Sequence, residues 1–66
     1  HLAYGDIYFF LAYAAIVKKE HAMTKHWLRK YVNSSEYDHE LLHAHPQFKP
    51  LHQEVWFIEL VKKQLH

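Results

Sequence analysis

Eight of the 66 residues are histidines, and four of them lie close together in the second half of the chain. His39 and His43 are four residues apart, so on a helix they share one face and can bind the same metal ion. His45 and His52 follow across a segment that contains two prolines, and they could complete a tetrahedral zinc site. The spacing therefore predicts a zinc site formed by these four histidines, with Glu40 near the ion.

The five residues 39–43 also resemble the H-E-x-x-H motif of zincin-type zinc peptidases. In that family two histidines bind zinc, and the intervening glutamate, here Glu40, polarises a metal-bound water as general base. Metzincins extend the motif with a glycine and a third histidine, whereas this chain has Pro46 and Lys49 at those positions. No segment has the pattern of the strand that usually borders a peptidase cleft. We therefore expect a non-catalytic protein, and solvated surface histidines are the alternative to a metal site.

Composition excludes several other functions. Cysteine is absent and the only glycine is Gly5, so the chain has neither a disulfide framework nor a glycine-rich phosphate loop. The net charge is +1 with neutral histidines, and we expect no nucleic-acid partner. A domain of this length buries only about 60% of the surface of its unfolded chain, so a metal or a partner would help to stabilise it.

The chain lacks the alternation of a strand and has neither glycine nor proline between Asp6 and His45. We expect one all-α domain over residues 1–66, a small three- or four-helix bundle. Asp6 is the predicted N-cap of a long first helix, which is either continuous or kinked near residues 21–24, where Thr24 could cap a second helix. A short middle helix and a C-terminal helix follow.

The ends of the later helices are predicted from capping residues and prolines. Ser35 and Asp38 have the spacing of a capping box, and the short helix must end before Pro46. A short loop follows, and Pro50 is the predicted start of the last helix. The predicted core residues of that helix are Leu51, Val55, Ile58, Val61 and Leu65, widened by Trp56, Phe57 and Leu60.

Residues 7–17 are apolar on every side of the predicted helix, which is more apolar surface than two short helices can cover. Aromatic residues of this kind are enriched in interface cores. We therefore expect a protein partner or a second copy of the chain. The candidate contact residues are Tyr8, Phe9, Phe10, Tyr13, Trp27 and Trp56.

A membrane surface is the third alternative for this apolar segment. Residues 2–17 are fewer than the roughly 20 needed to cross a bilayer, and Asp6 interrupts them. The tyrosines that flank the segment would nevertheless suit a helix lying in the membrane interface. The sequence does not indicate a cellular compartment.

Overall fold

The structure is a computed structural model that describes residues 3–63. Within this range it contains four α-helices, one 3₁₀-helix and no strand, which confirms the all-α prediction. The elements are α1 (Tyr4–Val17), α2 (His21–Val32), α3 (His39–Ala44), the 3₁₀-helix (Pro46–Gln53) and α4 (Val55–Lys63). α1 packs chiefly against α2, while the 3₁₀-helix contacts α1, α3 and α4.

A tight turn at residues 18–20 divides the first helical segment into two helices. The turn begins three residues before the break that was predicted near residues 21–24. The N–H of Lys19 donates to the carbonyl of Ile16 at 3.0 Å, and the N–H of Glu20 donates to that of Ala15 at 2.9 Å. This is the bonding pattern of a Schellman cap, and Lys19 takes the left-handed conformation that it requires, with φ of 63°. Thr24 does not cap α2; its buried hydroxyl donates to the carbonyl of Glu20 instead.

Helix α1 begins at Tyr4, so the prediction of Asp6 as its N-cap is wrong. Asp6 lies in the first turn, and the N-cap residue, Ala3, has no side chain that could accept a hydrogen bond. A residue distant in the sequence takes this role, because Glu36 Oε1 accepts from the N–H of Gly5 at 3.1 Å. The start of α1 is therefore held by the loop that follows α2.

Helix α3 is capped by Asp38, whereas the capping box predicted from Ser35 does not form. Asp38 Oδ1 accepts from the N–H of Leu41 at 3.0 Å, and the hydroxyl of Ser35 donates to Glu36. The backbone N–H of Asp38 itself donates to the Tyr31 hydroxyl at 2.9 Å, which fixes the cap to the buried end of α2. α3 ends at Ala44, ahead of Pro46, as predicted.

The segment predicted as a loop followed by a helix start forms a 3₁₀-helix instead. Three residues per turn place Phe48 and Leu51 on the same side, and both are buried. Pro50 lies inside this helix, and α4 starts only at Val55, after Glu54 adopts an extended conformation.

The later start of α4 changes the face that it buries. Phe57 and Val61 lie in the core, whereas Val55 and Ile58, both predicted to be buried, are exposed. Phe57 is 1% exposed, and burying its ring removes more apolar surface from water than burying Val55 would. Leu65 lies outside the described residues.

One hydrophobic cluster draws residues from all five helices. Its members include Ala12 of α1, Leu28 of α2, Leu42 of α3, Phe48 of the 3₁₀-helix and Phe57 of α4, each at most 1% exposed. Helix α1 contributes only small residues to the buried set, which brings its backbone close to the rest of the protein. Its large side chains are consequently left at the edges or on the outside.

Candidate functional site

The side of α1 that faces away from the core is mostly apolar, and Asp6 is the one exposed charged residue of the helix. Phe10 is 70% exposed, Val17 52%, Ile7 38% and Tyr13 37%. Their spacings of three and four residues place these side chains together on one face of the helix, which we call the outer face. An exposed helix face of this composition is unusual, because solvent-facing positions normally carry polar or charged residues.

A groove of about 380 Å³ runs beside the outer face. Phe9 lies between the groove and the core, with its ring edge-on to Tyr31 at 5.1 Å and to Phe48 at 5.5 Å. The His45 ring contacts Tyr13 at 5.2 Å between centroids. The groove is lined by Asp6, Phe9, Phe10, Tyr13, Tyr31, Leu41 and His45.

The structure brings together three of the six predicted contact residues. Phe9, Phe10 and Tyr13 line the groove. The other three lie elsewhere: Tyr8 stacks on Trp27 at 5.9 Å, and Trp56 lies edge-on to Phe57 at 5.8 Å.

Sequence reasoning missed Ile7, Val17 and Leu41 as surface residues. The spacing of Ile7 and Val17 from Phe10 could have identified them once the buried side of α1 was known. Leu41 carries no such signal, because it reaches the groove only through the position of α3.

Three of the four predicted zinc-binding histidines form a cluster. The ring centroids of His39 and His43 are 4.1 Å apart, and those of His43 and His52 are 4.8 Å apart. His52 also stacks on Phe57 at 5.6 Å, and Tyr37 and His39 share a hydrogen bond of 3.0 Å between Oη and Nδ1. We call His39, His43 and His52 the histidine cluster.

His45 does not join the histidine cluster. Its ring packs against aromatic residues of α1, and its Nδ1 accepts from the N–H of Gln47 at 3.3 Å. The extended backbone at His45 ends α3 and turns its side chain away from the helix face that carries His39 and His43. The predicted four-histidine arrangement is therefore not formed.

The histidine cluster is electrostatically unusual because imidazoles neighbour one another. Among the described residues, His43 Nδ1 and His52 Nε2 are buried and have no hydrogen-bond partner. The pKa of His43 is lowered from its ordinary value, first by burial and then by repulsion from His39 and His52. The neutral form of His43 is consequently favoured in the folded protein.

Metal coordination requires the nitrogens of the histidine rings to converge on one point. Within residues 3–63, no group of three or more histidine, aspartate or glutamate side chains is arranged to hold a metal ion. The His43 and His52 rings are tilted by 30° with respect to each other, and the His39 and His43 rings by 41°. Zinc binding here would require the rings to rotate.

No helix between residues 3 and 63 combines the length and the apolar character that crossing a bilayer requires. Comparison of the chain with protein-family models, with curated proteins and with solved structures found no significant match. Two surface features of the protein bear on its function: the outer face with its groove, and the histidine cluster.

Proposed function

We propose that this chain is a non-catalytic helical interaction module that binds an apolar helix of a protein partner through the outer face of α1 and its groove. The observation that carries the proposal is the 70% exposure of Phe10, at the centre of an apolar face and beside an apolar groove. When two helices pack, the ridge of side chains on one helix enters the groove beside the other. The exposed side chains of the outer face form such a ridge, and the groove lies beside them.

The free energy available from covering this surface is substantial. Burial of apolar surface contributes about 25 cal/mol per Å², and an aromatic side chain can bury ~150–250 Å². Aromatic residues near the centre of an interface commonly supply much of its binding energy. Phe10 and Tyr13 occupy that position on the outer face, so we expect them to contribute most to binding.

The shape of the surface favours a protein over a lipid bilayer. The groove beside the outer face is shallow and is lined chiefly by apolar side chains, against which a partner's side chain can pack, whereas a bilayer presents no side chain. The Asp6 carboxylate also lines the groove, and inserting a charged carboxylate into an apolar membrane region is costly. A helix that carries a basic residue opposite Asp6 would satisfy that charge.

Binding of the apolar dye bis-ANS at nanomolar protein concentration tests the proposed surface. We expect dye fluorescence with the unmodified chain and a loss of most of it in Phe10→Asp. Met23→Asp is the matched control, because Met23 is an exposed apolar residue of α2 outside the outer face. Equal fluorescence losses in the two variants would contradict the proposal. The proposal would also be contradicted if the unmodified chain binds neutral liposomes and Phe10→Asp abolishes that binding.

The histidine-rich zinc-binding alternative remains a prediction. It is supported by the proximity of three imidazoles, and it requires the rings to rotate out of the contact that places the His43 and His52 centroids 4.8 Å apart. A thermal melt with and without EDTA distinguishes the two possibilities. We expect the same melting temperature in both, whereas a lower value in EDTA would make zinc a structural component.

A further inference from the structure

We infer that the docking segment of the partner is a basic amphipathic helix, whose apolar side chains cover Phe10 and Tyr13 and whose lysine or arginine side chains meet the carboxylates that border the groove. This inference rests on the proposed function, because it names the chemistry of the partner at the same surface. It follows from the position of Asp6, from the carboxylates of neighbouring elements and from the distribution of charge in the chain.

Asp6 lies on the surface that the partner would cover. It precedes Phe10 by four residues, which places it one turn away on the outer face, and it lines the groove. Among the described residues that line the groove, Asp6 is the only carboxylate, and none is a lysine or an arginine. A purely apolar partner would remove this charge from water without pairing it, which is costly. A cationic side chain of the partner avoids that cost.

Further carboxylates lie on the elements that border the groove. Glu36, in the loop after α2, accepts from the N–H of Gly5 in α1, and Asp38 caps α3. Glu40 is exposed in the first turn of α3. Each of these carboxylates lies near the start of a helix, where the helix dipole favours negative charge. These local roles leave the negative charge in place at this side of the protein.

The charges of Asp6 and Asp38 act within the groove itself. Tyr31 lines the groove, and its pKa is raised from the ordinary value, first by burial and further by the carboxylates of Asp38 and Asp6. The hydrogen bond from the N–H of Asp38 opposes this rise only in part. The groove therefore has a negative potential, which attracts cationic groups.

The remainder of the chain does not share this negative charge. Residues 3–17 and 33–45 provide all of the groove lining except Tyr31, and they contain four carboxylates and no lysine or arginine. All eight lysines and arginines lie elsewhere in the chain, together with three of the seven acidic residues. An acidic partner would meet like charges at the groove, whereas a basic partner would be attracted to it.

Fluorescence anisotropy with two labelled synthetic helices measures this charge preference. One peptide carries leucine on one face and lysine on the other, and the second peptide carries glutamate in place of each lysine. We expect the leucine–lysine peptide to bind the unmodified chain at least about tenfold more tightly than the leucine–glutamate peptide. Added salt should weaken the binding of the leucine–lysine peptide, because salt screens the attraction between exposed charges.

Two variants that remove one negative charge each separate pairing at the groove from net charge. Asp6→Asn should weaken the binding of the leucine–lysine peptide by about two- to tenfold. Glu59→Gln is the matched control, because Glu59 is an exposed carboxylate of α4 that does not line the groove. We expect Glu59→Gln to leave the affinity nearly unchanged. Circular dichroism checks that both variants are folded.

Several outcomes would overturn the inference. They are equal binding of the two peptides, no binding of either peptide, and an equal loss of affinity in Asp6→Asn and Glu59→Gln. If one of these is observed while bis-ANS binding still depends on Phe10, the basic partner is wrong and the proposed docking surface stands. If bis-ANS binding does not depend on Phe10, the proposed function itself fails.

Discussion

At the scale of single residues, His43 links the fold to pH. Its pKa in the folded protein lies below the ordinary histidine value of about 6.5, because it is partly buried and adjoins His39 and His52. Between these two pKa values the unfolded chain binds more protons, so the free energy of unfolding rises with pH across that window. The part of the free energy of unfolding that depends on neutral His43 is fully present above about pH 6.5. It is lost as the pH falls towards the pKa of His43 in the folded protein.

Urea unfolding at pH 7.5 and pH 5.5 checks this dependence. We expect lower stability at the acidic pH, and a smaller difference between the two pH values in His43→Gln. His21→Gln provides the control, because His21 is exposed at the start of α2 and lies outside the histidine cluster. A pH dependence that is unchanged in His43→Gln would show that other groups cause it.

Gly5 is a second residue whose role depends on close contact. A Cβ atom at this position would lie 2.5 Å from Glu36 Cβ and 2.6 Å from Ser34 Oγ, which is closer than a Cβ atom comes to other heavy atoms. Alanine would gain about 0.5–1 kcal/mol in helix propensity. The overlap costs ~1–3 kcal/mol, so we expect Gly5→Ala to lower the free energy of unfolding.

Chemical denaturation of Gly5→Ala measures this balance. Glu36→Gly removes the atom nearest to the added Cβ. We therefore expect Gly5→Ala to lower the free energy of unfolding by less in a Glu36→Gly chain than in the unmodified chain. A stabilised Gly5→Ala variant would mean that the loop after α2 moves away from α1 at little cost.

At the scale of elements, the turn between α1 and α2 carries a residue that is poorly suited to its backbone. Lys19 is left-handed, with φ of 63°, and such a conformation costs a non-glycine residue about 1 kcal/mol. We therefore expect Lys19→Gly to raise the free energy of unfolding by about 0.5–1 kcal/mol. Lys18→Gly is the control, because Lys18 has φ of −81° and glycine should destabilise the chain there.

The same turn shows why element boundaries were harder to predict than element type. Periodicity and the lack of strand patterns were enough to predict an all-α chain. The Schellman cap was missed because its usual signal is a glycine, and a lysine occupies that position. The start of α1 is held by Glu36, and the Asp38 cap of α3 is fixed by the Tyr31 hydroxyl; no local pattern contains either of these contacts.

The candidate site was predictable to a similar extent. The spacing of His39 and His43 correctly placed them together, and the proximity of His52 depends on the 3₁₀-helix. His45 was misplaced because the direction of its side chain is set by the extended backbone at the end of α3. The apolar segment 7–17 was recognised, but only packing decides which of its sides faces solvent.

At the scale of the whole molecule, the shape explains why one side of α1 is uncovered. The principal dimensions are 32 × 30 × 19 Å, and a helix with its side chains is about 10 Å wide, so the protein is two helices thick. In a two-layer structure each helix has a solvent-facing side. Apart from Asp6, α1 is apolar on that side as well as on its buried side. This composition is the reason why we propose that a partner covers the outer face.

Site-specific photo-crosslinking in cells of the source organism tests this central claim most directly. Benzoylphenylalanine replaces Phe10 in one variant and Lys30, an exposed residue of α2, in the control. We predict discrete protein adducts from position 10 that are absent from position 30. Adducts to lipid alone from position 10, no adducts at all, or the same adducts from both positions would contradict a protein-docking role for the outer face.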